Sequence, residues 1–137
     1  MTVDLIEQFI IQNLPDTTRL EHGGYIFYFY STDQMLPFVS IAIADNEYDH
    51  VSQLSREGVF RVNIGVLKET FAGMFPEPSA EWDYAVLDRF LPHPHYAAQH
   101  YICILNPEGE NAETTCRLME EAWIIAKRRF EKKYPQG

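Results

Sequence analysis

The segment Gly58–Phe75 (GVFRVNIGVLKETFAGMF) constrains the fold most, because its hydrophobic period changes from that of a strand to that of a helix. Val59–Ile64 alternates between two faces, and the polar side chains of Arg61 and Asn63 lie on one of them. The other face carries only apolar side chains: Phe60, Val62 and Ile64. Gly65 ends the strand, and a helical apolar stripe follows, formed by Leu67, Phe71, Met74 and Phe75. A strand that leads directly into an amphipathic helix predicts a sheet and a helix packed over one core.

The N-terminal region predicts a helix and then a hairpin. Thr2 is a good cap for a helix over Val3–Asn13, whose apolar stripe is predicted to be buried: Leu5, Ile6, Phe9, Ile10 and Leu14. Thr18–Glu21 and Tyr25–Tyr30 have the composition of paired strands, and the glycines between them supply the positive φ of a tight turn. Because Tyr25–Tyr30 is aromatic on both faces, we expect an inner strand or one paired with a second subunit.

The remaining elements alternate strands, loops and a final helix. Phe38–Ala44 is predicted to be a strand, and the acidic stretch Asp45–Glu57, which has no clear period, a surface loop. His93–Gln99 is predicted to be a loop that leads into a strand at His100–Leu105. A last helix is predicted from a cap at Asn111 to about residue 133, with the core stripe Cys116, Met119, Trp123, Ala126 and Phe130.

These elements predict an α+β fold in one domain, residues 1–137. It comprises an N-terminal helix, an antiparallel sheet of about five strands, a short helix after the central strand, and a long C-terminal helix packed on the sheet. A chain of 137 residues, 46% of them hydrophobic, is long and apolar enough to bury roughly 70% of its unfolded surface.

The charge and the N-terminal residues argue against several classes of protein. A formal net charge of −9 disfavours broad contact with phosphate backbones or anionic lipid. The first fifteen residues lack the cationic start and cleavage site of a signal peptide, and no apolar run approaches the ~20 residues of a membrane span. Cys103 and Cys116 have no disulfide or ligand spacing and are predicted to be small buried hydrophobes. We therefore expect a cytoplasmic protein that does not associate with membranes.

Two local sequences and the order of the elements resemble the MmcQ/YjbR-like fold. Arg61-Val62-Asn63-Ile64 is similar to that family's RVNL strand, and Gln99-His100-Tyr101 is similar to its RHW strand opening. The segments PFVSIAIAD, GVFRVNIGVLKETF and LPHPHY…ICILNP resemble, more closely still, a bacterial family of unknown function of about this length. The resemblance covers nearly the whole chain and implies the fold; it brings no established catalytic mechanism.

The chain departs from the MmcQ/YjbR pattern at two places. Gly65 stands where a lysine usually follows RVNL, and Ala97-Ala98 stand where Asn-Lys usually precedes the Arg-His-Trp sequence. Members of that group have been suggested to bind DNA. The loss of these cationic and polar positions weakens that implication for this chain.

Arg61 and Asn63 form the first candidate site. The preceding strand leaves space beside them, because its residues on one face are small: Ser40, Ala42 and Ala44. A buried arginine is costly unless it is paired, so one interpretation is a structural ion pair between Arg61 and a carboxylate such as Asp45 or Asp88. The other interpretation is a small anionic ligand held bidentately by Arg61. The predicted ligand-binding residues are Arg61, Asn63, Tyr96, His95 and His100.

The histidines form a second candidate site. His93, His95 and His100 have the side chains that zinc and other divalent metals prefer, and the acidic loop offers further ligands: Asp45, Asp49 and His50. The alternative is a turn made rigid by proline, in which the histidines are solvated or hydrogen-bonded to backbone groups.

The sequence lacks the motifs of nucleophilic catalysis and phosphate binding, including G-x-S-x-G and a phosphate-cradling glycine loop. We therefore expect a non-enzymatic module without a cofactor that binds a small ligand or a protein. One alternative is a DNA-binding protein that uses the basic cluster KRRFEKK at 127–133, which is set against the negative net charge. Another is a metal-dependent enzyme that uses His93, His95 and His100. The aromatic strand Tyr25–Tyr30 leaves a homodimer open.

Overall fold

The computed structural model describes residues 1–77 and 80–135. Its helices are α1 (Val3–Asn13), α2 (Lys68–Met74) and α3 (Gly109–Lys133), with a 3₁₀ turn at Ala97–Gln99. Its strands are β1 (Thr17–His22), β2 (Tyr25–Tyr30), β3 (Val39–Ala42), β4 (Arg61–Gly65), β5 (Leu91–Pro92) and β6 (Tyr101–Leu105).

The strands form one antiparallel sheet in the order β1-β2-β3-β4-β6-β5. The predicted α+β fold is confirmed, with a helix at each end of the chain and a short helix after β4. The described residues contain six strands where about five were predicted. The additional strand is β5, whose two residues are too few for an alternating pattern to be visible in the sequence.

One face of the sheet carries the apolar core under α1 and α3. The side chains on this face come from alternate positions of the inner strands, and they pack with Ile6 and Ile10 of α1 and Met119 of α3. They are Ile26, Tyr28, Val39, Ile41, Val62, Ile64, Ile102 and Ile104. The alternation predicted for β4 is therefore present, and its apolar side chains face the helices.

The opposite face of the sheet carries two rows of side chains. The strand register aligns Phe27, Ser40, Asn63 and Cys103 in one row. It aligns Tyr25, Ala42, Arg61 and Leu105 in the neighbouring row. The loop between β3 and β4 folds over the second row, where Leu54 packs on Ala42 and Leu105. Polar side chains are therefore built into the middle of a covered sheet face.

Local signals predicted the first elements well. The hydroxyl of Thr2 accepts a hydrogen bond from the amide of Leu5 at 3.2 Å, as expected of the cap. Gly23 and Gly24 have φ of 60° and 83°, the positive values that a two-residue hairpin turn requires. The predicted burial of Leu5 is wrong, because 51% of this residue is exposed on the outer side of α1.

Two boundaries in the second half differ from the prediction. The strand predicted from His100 begins at Tyr101, because His100 has a left-handed backbone (φ 65°) that ends the 3₁₀ turn. Helix α3 begins at Gly109 rather than after Asn111. The amide side chain of Asn111 donates instead to the carbonyl oxygen of Asp88 at 3.0 Å, so it holds a neighbouring loop and does not cap the helix.

Candidate functional site

A buried ion pair between Arg61 and Asp49 lies at the centre of the polar sheet face. Nη1 of Arg61 is 3.0 Å from Oδ1 of Asp49, and Nη2 is 2.5 Å from Oδ2. The side chain of Arg61 is wholly buried and that of Asp49 is 6% exposed. The structural ion pair that was one of the two interpretations of Arg61 is therefore present. Its carboxylate belongs to Asp49 and not to Asp45 or Asp88. Both terminal nitrogens of the guanidinium are engaged within the chain.

The loop before β4 positions Asp49 through a side-chain turn. Oδ1 of Asn46 accepts the backbone amides of Tyr48 and Asp49 at 2.8 and 2.9 Å, which fixes the chain reversal that aims Asp49 at the sheet. The amide of Asn46 also donates to the hydroxyl of Tyr25 at 3.0 Å, and that hydroxyl donates to Asp49 at 2.7 Å. Burial alone would raise the pKa of Asp49, but hydrogen bonds from Arg61 and Tyr25 outweigh it and lower this pKa to about 2.

A directed chain of hydrogen bonds runs from Arg61 across the strands. Nε of Arg61 donates to Oδ1 of Asn63 at 2.9 Å, and Nδ2 of Asn63 donates to the hydroxyl oxygen of Ser40 at 3.1 Å. Because a guanidinium only donates, it fixes the orientation of the Asn63 amide. Ser40 and Asn63 also border open space, so this chain of hydrogen bonds connects the buried pair to a cavity.

A cavity of about 590 Å³ opens over Ser40 and Asn63. Its size is within the range of small-molecule sites. Two strongly exposed aromatic side chains, Tyr48 and Tyr96, stand at its mouth. The other lining residues are Tyr25, Phe27, Met35, Leu36, Pro37, Asp49, His93, His95, Gln99 and Tyr101. Aromatic walls with a few converging polar groups are the usual composition of a ligand-binding pocket.

His93 forms the part of the cavity wall that follows β5. Its Nδ1 accepts the backbone amides of His95 and Tyr96, each at 3.0 Å, so the imidazole closes the Pro94 turn. Burial lowers the pKa of His93 to about 3, and the nearby charge of Arg61 adds to this effect. His93 is therefore neutral at physiological pH, with Nδ1 as acceptor and its proton on Nε2.

The structure places the five predicted ligand-binding residues differently. Asn63, Tyr96 and His95 line the cavity, whereas Arg61, in the neighbouring row, does not line it and instead holds Asn63 and Asp49. His100 does not line this cavity. Its ring is 5.8 Å from that of Phe71, beside a separate surface depression. The expectation that His100 follows the strand alternation is wrong for the reason given above, the left-handed backbone before β6.

The predicted metal ligands do not converge in the part of the chain that the structure describes. His100 lies on the other side of the 3₁₀ turn from His93 and His95. Nδ1 of His93 is already occupied by two amides. The described residues contain no group of three histidine, cysteine, aspartate or glutamate side chains arranged to hold a metal ion.

Sequence reasoning missed two parts of the site. Its residue type places Asp49 with the histidines as a candidate metal ligand, although the spacing Asn46-x-x-Asp49 is a turn signal within an otherwise irregular loop. The second part is the aromatic wall of the cavity, formed by Tyr25, Phe27 and Tyr101. The aromatic side chains on both faces of β2 indicated this wall. Only one face of the strand is needed for the core, so the aromatic side chains on the other face are available to line a cavity.

The basic cluster at 127–133 lies in the last turns of α3. Arg129 is 3.7 Å from Asp33, and the ammonium of Lys127 is 5.2 Å from the ring centroid of Trp123. These two cations are thus engaged with neighbouring side chains.

Comparison with known proteins gives a family but no activity. No curated protein and no solved structure gives a significant match to the chain. None of the helices in residues 1–77 and 80–135 has the length and apolar character needed to cross a membrane. The model of a family of unknown function, DUF6194, matches residues 1–135. A match over nearly the whole chain shows that the protein belongs to this family.

Proposed function

We propose that this chain is a non-enzymatic binding module that takes a small molecule in the cavity over Ser40 and Asn63. The observation that carries the proposal is the combination of an open aromatic cavity with a rigid polar floor. Asn63 is held by Arg61, and Arg61 is held by Asp49, so the floor keeps its geometry without a ligand. Such preorganisation reduces the cost of ordering the site on binding.

Three titratable groups in and beside the cavity floor and wall support a binding role: Asp49, His93 and Cys103. Asp49, with a pKa of about 2, and His93, with a pKa of about 3, are both weak bases at neutral pH. Cys103 lies beside Asn63 in the sheet register, and burial raises the pKa of its thiol to about 12, which disfavours the nucleophilic thiolate. These groups have roles in holding the cavity and lack the pKa values that proton transfer or thiol attack requires.

A fragment screen followed by ¹H–¹⁵N correlation spectra tests the proposal. We expect binding fragments to shift the backbone amide signals of Ser40, Asn63 and Tyr96. The variant Tyr96→Ala removes part of the rim and is expected to weaken the binding of these fragments. Tyr134→Ala replaces a tyrosine of similar exposure that directly follows α3, and it is expected to leave their binding unchanged. A screen in which no fragment binds, or in which all fragments map away from the cavity, refutes the proposed function.

We also propose that the family shares the MmcQ/YjbR-like fold and works in a bacterial cytoplasm. The RVNI strand at the centre of the sheet and the long C-terminal helix support the first part. The free thiols Cys103 and Cys116 support a reducing compartment. An experimental structure superimposed on members of that fold tests the first statement, and cell fractionation of a bacterial host tests the second.

A further inference from the structure

We propose that the cavity selects planar aromatic ligands that present a carbonyl oxygen to Nε2–H of His93 and to the hydroxyl of Ser40. This inference rests on the proposed function and names the class of ligand. Its basis is the direction of the hydrogen bonds around the cavity, which leaves donors facing the open space.

His93 supplies the first donor. Because Nδ1 accepts two backbone amides at 3.0 Å, the neutral ring must carry its proton on Nε2. The residue is only 5% exposed, and Nε2 has no hydrogen-bond partner among the residues that the structure describes. In those residues no buried side-chain nitrogen or oxygen lacks a partner, so Nε2 is accessible to solvent. The open space that His93 lines is the cavity.

Ser40 supplies the second donor. Arg61 fixes Asn63 with its oxygen toward the guanidinium and its nitrogen toward Ser40. The hydroxyl oxygen of Ser40 therefore accepts a hydrogen bond, and its proton donates to none of the described residues. Ser40 lies in the floor of the cavity, so this proton is available to a ligand.

The carboxylate that borders the cavity is already engaged. The carboxylate of Asp49 accepts two hydrogen bonds from Arg61 and one from Tyr25. The opposite charges of Arg61 and Asp49 also leave the floor without a fixed net charge from this pair. A ligand that offers an acceptor finds unpaired donors, whereas an ammonium ligand leaves these donors unsatisfied.

The walls favour a flat ligand. Tyr48 and Tyr96 stand at the mouth with exposed rings, and Phe27 and Tyr101 line the interior. Aromatic side chains stack on planar groups in offset or edge-to-face arrangements. An aromatic ring held between these side chains directs a carbonyl substituent to the floor.

Three probes of equal ring size test this inference: benzamide, benzoate and benzylamine. We expect benzamide or benzoate to bind in the cavity at least tenfold more tightly than benzylamine, measured by titration of the amide signals of Ser40 and Tyr96. The comparison of benzamide with benzoate decides whether the carbonyl belongs to a neutral or an anionic ligand. Benzylamine binding in the cavity as tightly as the other two overturns the inference.

Two variants test the donors. In His93→Asn the new side-chain oxygen takes the place of Nδ1 and retains the turn, while the Nε2–H donor is lost. Ser40→Ala removes the second donor, and with it the acceptor of the Asn63 amide. We expect each variant to lower the affinity for the carbonyl ligand about tenfold, which is the usual effect of losing one hydrogen bond to a buried acceptor. Unchanged signals from the turn amides of His95 and Tyr96 verify that the fold is retained.

The outcomes separate this inference from the proposed function. Unchanged affinity in both variants overturns the inference. So does the failure of all three probes when the fragment screen finds cavity ligands without a carbonyl group, a result that leaves the proposed function standing. A screen without any cavity ligand refutes the proposed function and, with it, the inference.

Discussion

Asp49 binds both terminal nitrogens of Arg61 inside the protein, at 3.0 and 2.5 Å, although the two residues belong to an irregular loop and an inner strand. The pair does two things at once. It neutralises the one guanidinium buried in the described sheet, and it ties the loop before β4 to the sheet face. Because Arg61 also orients Asn63, the geometry of the cavity floor depends on this contact.

Removal of Arg61 is expected to destabilise the fold strongly. Arg61→Ala leaves the Asp49 carboxylate buried without its partner, and such losses cost about 3–5 kcal/mol. Urea unfolding followed by tryptophan fluorescence measures this change. Arg129→Ala serves as the control, because its contact with Asp33 is 3.7 Å long and partly exposed, and it is expected to cost less than about 1 kcal/mol. A loss below about 1 kcal/mol for Arg61→Ala contradicts the structural role.

Acid is expected to weaken the fold below about pH 6.5. The pKa of His93 is lowered to about 3, mainly by burial, so the unfolded chain binds a proton before the folded one does. The contribution of neutral His93 to the free energy of unfolding is therefore fully present above pH 6.5 and is lost as the pH falls toward 3. Between pH 7.5 and 4.5 we expect the free energy of unfolding to fall by about 2–3 kcal/mol. Asp49, whose pKa is lowered to about 2, adds a second loss between about pH 4 and 2.

His93→Asn separates the first of these effects. We expect urea midpoints of this variant to change much less between pH 7.5 and 4.5, because the replaced side chain does not titrate. His22→Asn replaces an exposed histidine. Its urea midpoint is expected to change with pH as much as that of the unmodified protein does. If the urea midpoints of both variants change equally with pH, His93 is not the group responsible for the loss of stability in acid.

The sequence predicted elements whose signals are local. The alternation at Val59–Ile64, the Thr2 cap and the Gly23-Gly24 turn each depend on a few neighbouring residues, and all three correspond to the structure. The partner of Arg61 was not predictable in this way. Its choice among the acidic residues depends on a chain reversal twelve positions earlier, and an irregular loop carries no periodicity from which to read it.

The candidate site was only partly predictable for the same reason. Asn63, His95 and Tyr96 were named from their residue types, and they do line the cavity. The cavity itself needs segments far apart in the chain to meet, which no local pattern records. His100 shows the limit of periodicity, because one left-handed residue moves its side chain off the expected strand face.

Gly65 is expected to be required by the ring of Tyr101. A Cβ added at Gly65 lies 2.9 Å from Cζ of Tyr101, and the Tyr101 hydroxyl is fixed by a 2.6 Å hydrogen bond to the carbonyl oxygen of Pro37. The ring therefore cannot shift without breaking that bond, and Gly65→Ala should cost about 1–3 kcal/mol in urea unfolding. In a Tyr101→Leu background the same substitution should cost much less. If Gly65→Ala lowers the free energy of unfolding equally in both backgrounds, the loss comes from the backbone of β4 and not from the ring of Tyr101.

The thiol of Cys103 is expected to report on the opening of the polar sheet face. Cys103 is fully buried between Asn63 and Leu91 in the sheet register, and burial raises the pKa of its thiol to about 12. In a Cys116→Ser variant at pH 8, Ellman's reagent should therefore react no faster than the sheet face opens, and at the rate of a free thiol only after urea unfolding. Arg61→Ala should accelerate the reaction under native conditions, since it releases the loop that covers this face. Rapid labelling of the otherwise unmodified protein is incompatible with a sheet face held closed by the ion pair between Arg61 and Asp49.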